Sequence, residues 1–482
     1  MRRIQTFLKD FSTKNTILKN FSVLTISNAL SQFLAIFTSI KIARALTPIN
    51  YGTYNLLQLH VSIFVIVASF GLRNIIIRSI AREPKLIKNI FYISAILRAI
   101  GFFISIILFF IYFFLHPEYN VLLFSLVLVG ILSTILFDLF ESVAFGLEKM
   151  EFSGIINFLS NLFWLVTILI IPSKQLTLEL IFGLFVLFSS LKTFVYFFSI
   201  YKKDYIKGFT IVSAEKKQVI EFSKESFPYY YLALLTLLSN QIPLLFLEYR
   251  SGVAQIGYFN IASKVLMPIN LLLTTALAAV FPNLSRLFVT NHKTFIRNVK
   301  LIFMLIAVFG IAGAFGVTLF RKEVVYLLYG EKYVSSSLVL GYQCWYIAIY
   351  SVVCLIGTIL GAINKQKELG YLSILCTIIQ VPILWIGSKY GAQYLSAAFV
   401  VSTTIIFIIH LFVVNSYLKN ELSFVFYLKI IALFILGYAI SILVPVDLNI
   451  FYKAITFTVI SFLALFFILR KYKNNISKIF IR

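Results

Sequence analysis

The chain has 482 residues, of which 60% are hydrophobic, 17% aromatic and only 12% charged, with a formal net charge of +24. A soluble domain carries roughly 25% charged residues, so this composition cannot cover a water-exposed surface and excludes a soluble globular protein. The basic residues are spread among apolar segments instead of being gathered into one domain, which excludes nucleic acid as a partner.

A helix that crosses a bilayer needs about 20 mostly apolar residues, each adding about 1.5 Å against a core about 30 Å thick. Fourteen segments meet this length, near 21–40, 54–72, 90–115, 121–140, 152–172, 177–200, 228–247, 257–281, 301–320, 337–362, 369–388, 393–415, 426–445 and 451–469. The fold class is therefore an all-α integral membrane protein of about 14 transmembrane helices. Met1-Arg2-Arg3 opens the chain like a signal peptide. The first apolar stretch starts only near Phe21, is too long for an h-region and ends in Lys41 and Arg44, so it reads as an uncleaved first span. Residues 1–20 read as a cytoplasmic amphipathic N-terminus whose cations meet anionic lipid. Cys344, Cys354 and Cys376 fall inside spans and read as small buried hydrophobes, with no disulfide framework and no metal site.

With the N-terminus cytoplasmic, 29 of the 42 Lys and Arg residues fall in inner segments. That bias toward the inside supports an even number of spans and cytoplasmic location of both ends. The longest polar gap, 201–227, reads as a cytoplasmic linker between an N-lobe of helices 1–6 at 21–200 and a C-lobe of helices 7–12 at 228–415. Helices 13–14 at 426–469 and a basic cytoplasmic tail at 470–482 follow.

The two lobes share local patterns. Tyr51-Gly52-Thr53-Tyr54-Asn55-Leu56 opens span two and Ile256-Gly257-Tyr258-Phe259-Asn260-Ile261 opens span eight. Gly146-Leu147-Glu148-Lys149 with Gly154 joins spans four and five, and Gly361-Ala362-Ile363-Asn364-Lys365 with Gly370 joins spans ten and eleven. Both matches shift the chain by six helices, an even number that preserves orientation. The expected architecture is two pseudo-symmetric six-helix bundles facing a central cavity, as in carriers that work by alternating access.

Several segments resemble the multidrug/oligosaccharidyl-lipid/polysaccharide exporter superfamily, and its polysaccharide flippases most. They are Ile42-Ala43-Arg44-Ala45-Leu46 leading to Tyr51-Gly52-Thr53-Tyr54, then Gly71-Leu72-Arg73 with Arg78-Ser79-Ile80-Ala81. Pro268 follows within span eight, with Phe281-Pro282-Asn283-Leu284-Ser285-Arg286-Leu287 at its end, and then Tyr390-Gly391-Ala392 with Ala397-Ala398. The resemblance implies a flippase of the bacterial inner membrane that moves an undecaprenyl-pyrophosphate-linked oligosaccharide for O-antigen, capsule or exopolysaccharide. It also implies membrane lipid, a polysaccharide polymerase and chain-length proteins as partners, and no cofactor.

Moving a lipid pyrophosphate takes negative charge through a medium that solvates it poorly, so cations should face its path. Four lie in spans: Arg98, Lys192, Lys264 and Lys429. Lys264 stands four residues before Pro268, where related lipid-linked-precursor flippases carry a basic residue facing their cavity. The resemblance gives it a phosphate-contacting role, against an ammonium that snorkels to the outer interface. Arg98 is a second candidate. Lys192 and Lys429 read mainly as interface anchors, and Arg44 and Arg250 at the outer edge either receive phosphate on release or brace a loop. Asn28, Ser31 and Gln32 share one face of span one, and Ser239, Asn240 and Gln241 cluster midway through span seven. Both sets suit sugar hydroxyls or interhelical hydrogen bonds. Pro228, Pro243 and Pro268 suggest bends in spans seven and eight. His60 and His410 suit packed imidazoles or a proton relay.

Rival readings remain. A multidrug or small-molecule antiporter would want a carboxylate in span one, yet residues 11–82 hold no Asp or Glu. A lipid-precursor flippase for peptidoglycan usually carries several arginines along span one, where this chain has only Lys41 and Arg44 at the far end. No paired-carboxylate, nucleotide-binding or nucleophile motif is present, so the chain reads as a carrier and not an enzyme.

Overall fold

The computed structural model describes residues 2–115, 120–202, 216–418, 421–445 and 448–459, with side chains from 23 onward apart from 216 and 424. Every longer regular element among them is an α-helix. Thirteen of the described helices are long and apolar enough to span a membrane. A shorter apolar helix, Ile450–Val459, begins where span fourteen was expected, and residues 460–469 of that span lie outside the described residues, as does the basic tail 470–482.

Two compact units divide the chain, Met1–Gln241 and Ile242–Arg482. The first holds α1 (Arg2–Ala45), α2 (Pro48–Ser69), α3 (Leu72–Arg82), α4 (Ile87–Leu115), α5 (Val121–Gly146), α6 (Met150–Ile170), α7 (Leu178–Lys202) and α8 (Lys216–Asn240). The second holds α9 (Ile242–Ser251), α10 (Val253–Thr290), α11 (His292–Leu319), α12 (Arg321–Tyr329), α13 (Ser336–Ala362), α14 (Gln366–Ser388), α15 (Ala392–Tyr417) and α16 (Phe424–Leu443).

The division does not fall in the polar stretch 201–227, of which residues 203–215 lie outside the described residues. It falls midway through the seventh span, and the reason is local. Pro243 has no N–H to continue the helical ladder, so α8 closes with Gln241 N–H on the Leu237 carbonyl at 2.9 Å and α9 starts afresh. α8 packs against α2, α3 and α4, whereas α9 packs against α10, α14 and α15.

In the first unit α1 lies along α6, with Gly154 permitting close approach. A Cβ there would sit 3.1 Å from Ser27 Cβ. α2 starts at Pro48, capped by the Thr47 hydroxyl, which accepts from Asn50 N–H at 3.2 Å. It stops at Phe70 and Gly71, both left-handed, with φ of 48° and 66°. The turn sends α3 off as a separate short helix that buries Leu72, Ile75, Ile76 and Ile80. Gly71 abuts the backbone of Tyr230 on α8 so closely that a Cβ would overlap it. Gly71→Ala therefore combines this overlap with a left-handed alanine, itself worth about 1–2 kcal/mol. It should lower the melting temperature of the detergent-solubilised protein by several degrees, read by fluorescence-detected size exclusion after heating.

The turn motifs foreseen as repeats adopt matching local structures. Glu148 and Asn364 are both left-handed, with φ of 59° and 61°. Lys149 N–H bonds the Ala144 carbonyl at 2.9 Å, and Lys365 N–H bonds the Leu360 carbonyl at 2.8 Å, the same five-residue closure. Likewise Asn55 Nδ2 donates to the Tyr51 carbonyl at 2.6 Å and Asn260 Nδ2 to the Ile256 carbonyl at 3.0 Å.

In the second unit α13 is the central helix, packed by α10, α11 and α15 and buried along most of its length. The loop after α11 is itself helical: α12 carries Glu323, which pairs with the fully buried Lys453 and ties the last described helix to it.

Candidate functional site

α10 is a 38-residue helix with two prolines inside it, Pro268 and Pro282, and two chemically different sides. At 3.6 residues per turn, Asn260, Ser263, Lys264, Asn270 and Thr274 gather on one side and Leu266, Ile269, Leu272, Leu273 and Ala276 on the other. Near the start of the helix the polar side meets α13. Ser263 Oγ donates to Gln343 Oε1 at 3.1 Å, and Gln343 Nε2 donates to the Phe259 carbonyl at 3.2 Å.

Lys264 is half-buried, and among the described residues its ammonium has no hydrogen-bond or ion-pair partner. A charge set in low dielectric without a counter-charge destabilises the fold that holds it.

The apolar side of α10 forms one wall of a groove of about 640 Å³, with α11 and α13 as the others. Its lining is almost wholly hydrocarbon. Small residues at Ala276, Ala279, Gly310, Gly313 and Ala348 hollow it out, and Asn283 and Asn298 contribute amides.

The remaining candidates separate clearly. Arg98 is 2% exposed, and both terminal nitrogens of its guanidinium are engaged. Nη1 donates to the Ile135 carbonyl at 2.8 Å and Nη2 to Asp138 Oδ2 at 2.6 Å. Asp138 Oδ1 also accepts from Arg73 at 2.6 Å, and Arg73 reaches Glu141 at 2.8 Å. Glu141 in turn accepts from Ser153 at 2.5 Å and Asn157 at 3.3 Å. Two arginines and two carboxylates thus neutralise one another across α3, α4 and α5, with α6 supplying hydrogen bonds. The two charges lie at similar depth, which permits the pairing without singling it out. Arg98 lies eleven residues from the start of α4 and Asp138 eight from the end of α5, roughly 16 and 12 Å along antiparallel neighbours.

Arg250 is a brace. Its Nη1 donates to the Trp385 carbonyl at 3.0 Å, its guanidinium lies 4.4 Å over the Trp385 ring, and Ser251 Oγ bonds the Ser388 carbonyl at 2.6 Å. Arg44 and Lys429 are exposed, and Lys192 sits 3.8 Å over the Phe137 ring. On α1, Asn28 is exposed, while Ser31 Oγ and Gln32 Oε1 are buried with no hydrogen-bond partner among the described residues. At the break in span seven, Gln241 Oε1 accepts from Ser62 Oγ at 3.0 Å, Asn240 donates to the Thr236 carbonyl at 3.2 Å, and Ser239 is half-buried. His60 is enclosed by rings, with Tyr112 at 4.4 Å and Phe109 at 5.6 Å, and His410 bonds the Ile406 carbonyl at 2.9 Å.

A helical membrane protein with these spans matches solved transporters along nearly its whole length. The lipid II flippase MurJ in an inward closed conformation superposes with a TM-score of 0.71 at 18% identity, over 94% of this chain and 99% of that one. A point mutant of the Vibrio cholerae MATE transporter VcmN superposes with a TM-score of 0.55 at 14% identity, over 86% and 99%. The fold is thus that of multi-pass membrane flippases and transporters. Residues 17–288, more than half of the chain, match the family described as polysaccharide biosynthesis protein, and the chain belongs to that family. It is also 23% identical over 377 residues to the capsular polysaccharide biosynthesis protein CapF of Staphylococcus aureus, covering 75% of this chain and 91% of that protein.

Proposed function

We propose that the protein flips an undecaprenyl-pyrophosphate-linked oligosaccharide, a repeat unit of O-antigen, capsule or exopolysaccharide, across the bacterial inner membrane by alternating access, with both termini cytoplasmic. The observation that carries this reading is Lys264, a cation without a partner among the described residues on the polar side of α10, the helix whose other side walls a hydrocarbon-lined groove. An amphiphile with an anionic head and a long apolar tail satisfies both at once. The ammonium neutralises pyrophosphate charge, and the groove takes a stretch of the prenyl chain, each buried methylene contributing about 0.8 kcal/mol. No reaction is needed, and the chain acts as a carrier. Family membership and the capsule-associated relative support a polysaccharide precursor as cargo.

The likeness in fold to a lipid II flippase supports a second reading, in which the cargo is a peptidoglycan precursor. A proton-coupled drug antiporter is less well supported. Asp138 and Glu141, the acids deepest in the first unit, are both held by arginine. Proteoliposomes separate the three readings. The lipid-linked oligosaccharide extracted from native membranes should become accessible to an external glycosidase far faster than lipid II, and ethidium should not be exported. Efflux of ethidium without glycolipid movement would overturn the proposal.

The groove offers a second check. A Cβ at Gly313 meets nothing within 4 Å, so Gly313→Leu fills the groove without disturbing the helices. Flipping should fall several-fold while the melting temperature holds. At Gly316 a Cβ would lie 2.7 Å from the Phe457 ring, so Gly316→Leu should instead lower stability.

A further inference from the structure

The seam between α10 and α13 is closed at two levels and open between them. Ser263 meets Gln343 near the start of α10, and the Phe281 ring packs against Gly361 towards its end, 3.4 Å from where a Cβ would stand. Both contacts join residues 80 positions apart, so the helices run parallel in constant register and Asn270 lies level with Tyr350, Thr274 with Cys354. At that level the side chains are nevertheless exposed. Asn270, Thr274 and Thr275 are open on α10, and Tyr350 is 40% exposed while Ile349, Ser351, Val352 and Val353 around it are buried. Pro268 stands just before the opening, where its missing N–H and ring loosen the helix.

We propose that this opening, with Tyr350 as its platform and Asn270 and Thr274 as its polar edge, receives a sugar ring of the lipid-linked oligosaccharide. The inference rests on the flippase reading and adds the residues that recognise the glycan. Three features point to a sugar and not to a lipid chain. Tyr350 stacks on Tyr346 at 5.6 Å and 25°, and Tyr346 packs on the buried Phe399 at 5.2 Å, so the exposed ring is backed and held rigid. A fixed aromatic face suits the C–H face of a pyranose, at little entropic cost. The Asn270 amide has no hydrogen-bond partner among the described residues, and the Thr274 hydroxyl, which donates to the Leu271 carbonyl at 3.0 Å, keeps lone pairs for sugar hydroxyls. Lys264 stands six residues up the same helix, roughly 9 Å away, a spacing that puts a pyrophosphate and its first sugars within reach of both.

The test is binding in nanodiscs, comparing two probes: the lipid-linked oligosaccharide extracted from native membranes and sugar-free undecaprenyl pyrophosphate. Tyr350→Ala should weaken the oligosaccharide about tenfold and leave undecaprenyl pyrophosphate unchanged, while Tyr350→Phe retains both. Asn270→Ala should act in the same direction with a smaller loss. Equal weakening of both probes, as expected if bilayer lipid fills the opening or the ring only supports the fold, would overturn the proposal. So would no weakening of either. If wild type binds neither probe, the flippase reading itself fails.

Discussion

Lys264→Met is expected to abolish transport and at the same time to raise the melting temperature. The two effects have one cause. Lys264 is half-buried on α10, and its ammonium has no hydrogen-bond or ion-pair partner among the described residues, so in the absence of cargo its charge is a cost to the fold. Methionine keeps the length and removes the charge, and the position then behaves like the rest of an apolar helix. When the anionic head arrives, the same charge becomes its counter-ion. Its loss should cost about 2 kcal/mol or more of binding, roughly thirtyfold in affinity for undecaprenyl pyrophosphate. Lys264→Arg should retain most transport. Gain of stability with loss of function separates a ligand-directed charge from a structural one, for which both would fall together. Wild-type flipping by Lys264→Met at matched expression would remove Lys264 from the mechanism.

The membrane character of the chain was legible because it is written in composition and run length, which act over twenty residues at a time. Thirteen of the expected spans correspond to helices long and apolar enough to cross a bilayer. Local turn chemistry was legible too. The glycine-rich segments around Glu148 and Asn364 form the same left-handed closure, because only a short list of residues tolerates that backbone. What a one-dimensional reading lacked was pairing across helices. The apolar run of span two extends through residue 72, but Phe70 and Gly71 turn the chain and give α3 its own burial. The break in span seven was visible as a proline, yet nothing local says that α8 packs with the first unit and α9 with the second.

The candidate cations show the same limit. By residue type and depth, Arg98 and Lys264 are alike, and composition treats them equally. They differ in what stands opposite. Arg98 meets Asp138 from a neighbouring span, while Lys264 meets no acid among the described residues. Arg250, which by sequence suits either phosphate or a loop, lies over the Trp385 ring and donates to the Trp385 carbonyl.

Removing Asp138 should be the most damaging single change in the first unit. Asp138→Ala strips the counter-charge from Arg98, which is 2% exposed and has no other acid within reach in the network, and it also frees one arm of Arg73. Breaking a buried pair on one side costs about 3–5 kcal/mol, because the remaining charge is left desolvated. The protein should then express poorly and elute as aggregate. Asp138→Asn, which keeps an acceptor but not the charge, should fall between. The decisive variant is the double change Arg98→Met with Asp138→Leu. It replaces the pair by apolar side chains of similar volume and leaves Arg73 on Glu141, so most of the stability should return. Transport by that double variant would assign Arg98 wholly to the fold. A stable but inactive double variant would return it to the path of the cargo, and a stable, active Asp138→Ala would show that the network carries no weight in folding at all.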